Sequence, residues 1–96
     1  MGILSAIFGT TPHISQEKRS LTVRDVRAIV SHRNTNTLSA QQEREIEQHI
    51  IGGLDGMSKI SLYKIDQILK KLQYQKKISL IDRQGVMKQF EKHFNK

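Results

Sequence analysis

Tyr63 and Tyr74 are the only tyrosines in the chain, and they stand eleven residues apart in a lysine-rich stretch. That spacing is about three helical turns, so on a helix both rings fall on one side. With Leu62 at zero and about 100° per residue, Leu62, Ile65, Ile68, Leu69 and Leu72 gather on a face centred near 300°. Tyr63, Gln67, Lys70 and Tyr74 lie within about 40° of the opposite direction, flanked by Lys64 and Lys71. Rings interleaved with ammonium groups suit a phosphate-bearing strand, since aromatics stack on bases while lysines meet phosphates. The same stripe suits a protein partner, because tyrosine is enriched at interface hot spots. A central helix packed on both sides would instead bury the rings.

The cations continue beyond Tyr74. Lys76 and Lys77 follow it in a connection, and Lys88 and Lys92 occupy the outer face of the next helical stretch with Ile81 among them. These four lysines complete the candidate surface for a polyanion or a partner. Lysine reads phosphate charge and not base identity, so the pattern implies contact with a backbone.

Other chemistry is poorly supplied. The segment Leu54–Ser61 between two helical patterns faintly resembles an EF-hand loop, the calcium-binding helix–loop–helix. If Ile60 is its central apolar residue, however, Lys64 stands where a bidentate Glu is needed, and Asp55 is the one early carboxylate. The histidines His13, His32, His49 and His93 form no metal-ligand spacing. Glu45 and His49 are one turn apart and read as a surface pair. Gly52, Gly53 and Gly56 follow a helix and lack the Gly-Lys-Ser ending of a phosphate cradle. Acid–base catalysis wants two carboxylates, or a base beside a nucleophile, in a water-poor cleft, which a chain of this size has little volume to make. No catalytic residue, metal or cofactor is expected. A helix-turn-helix is disfavoured as well, because the break over 52–60 exceeds the usual turn and the third helix offers mostly Lys.

The elements that must hold this surface announce themselves by their starts. Leu21-Thr22, Leu38-Ser39, Ile60-Ser61 and Ile78-Ser79 each pair an apolar residue with a hydroxyl that can cap a helix. Asp25, Gln42 and Asp82 stand three residues after a cap and can bond back to it. Leu21 with Val26, and Ile60 with Ile65, offer staples across the cap. Periodicity extends the pattern: Val23, Val26, Ile29 and Val30; Ile46 and Ile50; the third-helix face; then Leu80, Val86, Met87, Phe90 and Phe94. The glycines after residue 51 should end the second helix by taking positive φ. The expected fold is therefore all-α, a bundle of four short helices at about 22–33, 39–51, 61–75 and 79–94. Lys-Ile-Ser-Leu at 59–62 and 77–80 reads as one helix-start idiom used twice, not as a repeat.

Composition sets the outer limits. Ninety-six residues make one domain, divided into an arm or linker over 1–20 and a helical domain over 21–96. Ten Lys/Arg against three acidic residues give residues 59–96 a charge of +7, equal to the whole chain's, since +3 before residue 39 cancels −3 over 39–58. Such a surface attracts polyanions. There are no cysteines, which excludes disulfides and thiolate sites and is compatible with a cytoplasmic location. No apolar run is long enough to span a bilayer. Ile3, Leu4, Ile7 and Phe8 make the arm apolar; it could dock on the domain, enter a partner's groove or touch a membrane interface. The expected function is a non-catalytic binding module for an anionic partner, nucleic acid before others. A protein–protein adaptor or inhibitor is the rival.

Overall fold

The computed structural model describes residues 14–95. A short strand β1 (Lys18–Ser20) precedes helices α1 (Val23–Val30) and α2 (Ala40–Gly52). Strand β2 (Lys59–Ser61) leads into α3 (Leu62–Tyr74), and α4 (Leu80–Phe94) follows. The four helices are those expected, each within three residues of its expected bounds. They close a ring in which α1 packs on α2 and α4, while α3 packs on the same two neighbours. Ile3, Leu4, Ile7 and Phe8, the apolar part of the expected arm, lie outside the described residues.

Each helix begins where a hydroxyl can bond an amide that the helix leaves unpaired. Thr22, Ser39 and Ser79 accept from the amide three residues on, and the side chains of Asp25, Gln42 and Asp82 bond back to the cap amide. Ser61 caps α3 by accepting from Lys64 N–H at 3.1 Å, and Lys64 has no acceptor to return the bond. Asp82 does more than cap. Its second oxygen accepts from Thr37 Oγ1 at 2.6 Å, which ties the α1–α2 connection to the start of α4.

The core is filled by the predicted faces. Val26, Val30, Ile46, Ile50, Ile65, Leu69, Leu72, Val86 and Phe90 are fully enclosed, and each buried side chain of this kind contributes about 1.5–3 kcal/mol. Val23 and Leu80, expected on those faces, are 40% and 47% exposed. Each is the first residue of its helix and projects at the rim of the ring.

Two local expectations are corrected, and one small element is added. First, α1 stops at Val30 and not near Arg33. Ser31 leaves the helical region, and Asn34 Nδ2 donates to the carbonyls of Ala28 and Ile29, satisfying groups that another turn would have used. Second, the glycines after α2 do not take positive φ; among the described residues only Ser58 and Lys76 do. Gly53 matters for a different reason. A Cβ there would lie 2.8 Å from Ile68 Cδ1, the tip of a flexible side chain, so a larger residue would make Ile68 shift. The all-α bundle is as expected, and to it is added a short two-stranded antiparallel sheet. Lys18, Arg19 and Ser20 face Ser61, Ile60 and Lys59. The last residues of the expected linker are thereby fixed to the fold, with Tyr63 N–H donating to Ser15 O at 3.0 Å just beyond the ladder.

Candidate nucleic-acid interface

A groove runs along the contact between α2 and α3. One part, about 430 Å³, is lined by His49, Lys64, Gln67, Ile68, Lys70, Lys71 and Tyr74. It adjoins a second part of about 380 Å³ that shares His49, Lys64 and Ile68 and adds Gln48, Gly52 and Gly53. No carboxylate lines either part. Ile68 gives the groove an apolar floor, and Gly52 and Gly53 let the end of α2 lie close beside it. Five of the expected site residues, Lys64, Gln67, Lys70, Lys71 and Tyr74, thus meet in one depression.

Both tyrosines point away from the core. Tyr63 is 43% exposed and Tyr74 78%. Tyr63 stands at the start of the same stripe but does not line the groove. Tyr63 shares its side of the helix with Lys70 and Tyr74, but it stands in the first turn of α3, at the opposite end from Tyr74.

The lysines are not electrostatically equal. Lys70 Nζ lies 3.6 Å from the carboxylate of buried Asp66, which Arg83 also approaches from α4 at 3.9 Å. Lys77 Nζ lies 3.2 Å from Glu45 of α2. Lys64 and Lys71 are exposed, and among the described residues no carboxylate comes within ion-pair distance of either. They are the groove's two uncommitted charges.

The remaining expected residues fall elsewhere. Lys76 and Lys77 line a separate depression with Ser39, Gln41, Gln42 and Glu45. Their backbone explains the position, since Lys77 N–H donates to Leu72 O and Lys76 N–H to Gln73 O, a Schellman closure of α3. Lys92 lines a third depression with Asp25, Ala28 and Ile29 of α1, and Lys88 lies one turn before it on α4. Lys92 therefore belongs to the α1–α4 side, Lys88 is exposed on α4, and neither lines the groove.

His49 is the groove residue that sequence reasoning passed over. Its Nδ1 lies 2.7 Å from the carbonyl oxygen of Glu45, which can only accept, so Nδ1 carries the proton and Nε2 remains for other bonds. The Glu45 carboxylate lies 3.9 Å from Nδ1 and is engaged by Lys77, so the expected surface pair is loose. An i,i+4 spacing from Glu45 was the only sequence signal, and it concealed a ring facing α3.

The segment that faintly resembled an EF-hand loop runs into β2 before α3, and its carboxylate meets a protein cation. Asp55 Oδ1 accepts from the amides of Met57 and Lys59 at 2.8 and 3.0 Å, and Oδ2 accepts from Lys18 Nζ at 3.0 Å. The Lys59 amide bond, with Lys18 and Met57 adding to it, lowers the Asp55 carboxyl from its usual 3.8 to about 2. Lys64, at the place of a bidentate Glu, points its charge into the groove. Among the described residues, no three His, Cys, Asp or Glu side chains gather as a metal-ligand set. Nor is any described helix long and apolar enough to cross a membrane. Comparison with protein-family models, with curated proteins and with solved structures returned no match.

Proposed function

We propose that this chain is a non-catalytic binding module for an anionic partner, nucleic acid above all, and that the α2–α3 groove is its binding surface. One observation carries the reading: Lys64, Lys70, Lys71 and Tyr74 line a groove that contains no carboxylate. An open, carboxylate-free trough attracts phosphate, and an exposed phenol ring beside it offers a stacking surface. The groove's one imidazole has only Glu45 near it, at 3.9 Å and engaged by Lys77, a poor arrangement for paired acid–base chemistry. The cytoplasm, where nucleic acid is at hand and a cysteine-free chain is at no disadvantage, is the compartment this reading implies.

Salt dependence is the test. For two uncommitted lysines each meeting a phosphate of a single strand, log affinity should fall against log salt with a slope near −1.4, or about sevenfold between about 50 and 200 mM. Fluorescence anisotropy of a labelled oligonucleotide measures this directly. A Lys64→Gln/Lys71→Gln variant should bind weakly and with a nearly flat slope. A flat titration at the lowest salt, or an unchanged slope in the variant, would refute the proposal.

A protein partner is the second reading, and a specific feature favours it. Tyr74, Leu80 and Ile81 are 78%, 47% and 67% exposed around the α3–α4 connection, and apolar side chains so placed suit an adaptor or inhibitor interface. Binding that is insensitive to salt and lost on Ile81→Asp would favour this surface over the groove.

A further inference from the structure

Resting on the nucleic-acid reading above, we infer that the groove takes an unpaired strand and excludes a duplex. The argument begins with where the contacting groups lie. Lys64, Ile68 and Lys71 are on the flank of α3 that faces α2, with His49 across from them. Packed helices lie about 8–10 Å apart, and each is about 10–12 Å in diameter with its side chains. The two-helix face is therefore about 20 Å across, wider than the roughly 12 Å major groove that admits one helix. A duplex resting on this face would meet the ridges of α2 and α3 and leave the crease unfilled. A single strand is thin enough to enter it.

The chemistry of the crease points the same way. Ile68 on the floor, the His49 ring on one wall and the exposed Tyr74 ring at the end all offer surfaces to flat, apolar base faces. In a duplex those faces are occupied by neighbouring bases, whereas in an unpaired strand they are open to stacking. Lys64 and Lys71 are seven residues apart, about 10 Å along the axis, and the run from Lys64 to Tyr74 is about 15 Å. That length holds about four nucleotides at the stacked spacing of 3.4 Å, and fewer in an extended strand. Phosphates would follow the lysines, and a base would rest on Tyr74.

The experiment compares a labelled strand of about twelve nucleotides, alone and annealed to its complement, as DNA and as RNA, against the whole chain and two variants. The wild type should bind the single strand at least about tenfold more tightly than the duplex. Tyr74→Leu should lose about tenfold on the single strand, the scale of one stacked base, and leave the weak duplex affinity unchanged. Tyr74→Phe should bind as the wild type does. Because Tyr74 is exposed, all three proteins should have the same melting temperature, which checks that the variants are folded. Equal affinity for strand and duplex, or no effect of Tyr74→Leu on the strand, overturns the inference and leaves the nucleic-acid proposal standing. Binding to neither overturns both.

Discussion

Gly85→Ala should destabilise this protein and yet stabilise it once Thr35 has been changed to Ser. Gly85 lies inside α4, where glycine is about 0.8–1.0 kcal/mol less favourable than alanine. A methyl group there would lie 2.8 Å from Thr35 Cγ2, closer than real side chains approach one another. Thr35 has little room to yield. It is buried, its N–H donates to Ser31 O, and its carbonyl accepts from Leu38 N–H. Its branched side chain is also stiff at χ1. Overpacking of this kind costs about 1–3 kcal/mol, so the net effect in the natural background is a loss of up to about 2 kcal/mol. Thr35→Ser removes the methyl that clashes, and Gly85→Ala should then gain close to 1 kcal/mol. Urea denaturation of the four proteins of the cycle measures this, with a coupling of about 1–3 kcal/mol expected. With a denaturant slope of about 1–1.5 kcal/mol/M for a chain of this size, the midpoint should fall by up to about 2 M in the natural background and rise by about 0.7–1 M once Thr35 is Ser. Effects that add to within about 0.5 kcal/mol would show that the α1–α2 connection does not press on α4 at this point.

Two further outcomes follow from single residues. Asp55 should make stability depend on acid pH: its folded pKa is depressed to about 2 from 3.8, so its contribution is complete above 3.8 and fades as pH falls towards 2. Asp55→Asn should flatten that part of a melting-temperature profile, and an identical profile would discount the bonds that Asp55 accepts, the Lys59 amide first among them. Lys76 adopts φ 62 at the Schellman position after α3, where a left-handed conformation costs a non-glycine residue about 1–2 kcal/mol. Lys76→Gly should therefore raise stability by about 1 kcal/mol, and a fall in the denaturation midpoint would argue against that closure.

What could be read along the chain was whatever one or two helical turns decide. Thr22, Ser39, Ser61 and Ser79 cap the four helices because each hydroxyl finds its amide three residues away. Ile65, Leu69 and Leu72 are enclosed because their spacing places them on one side of a helix. The outward direction of Tyr63 and Tyr74 follows from that same periodicity. Glycine was misread because Gly53 takes no positive φ, and what a side chain there would meet is Ile68 of another helix.

The composition of the groove could not be read in this way. Strand β1 forms only by pairing with residues some forty positions later, and three residues with little apolar periodicity carry no strand signal of their own. Glu45 engages Lys77 across 32 residues, and Lys92 turns to α1, so the lysine run divides into separate patches. His49 joins Lys64, Lys71 and Tyr74 only because α2 packs beside α3. The sequence by itself determined the helices, their caps and the outward side of α3, since local bonds and periodicity act within about a turn. Tertiary packing alone decided which cations remain uncommitted and which ring faces them, because screened charges act only over distances that folding brings within reach.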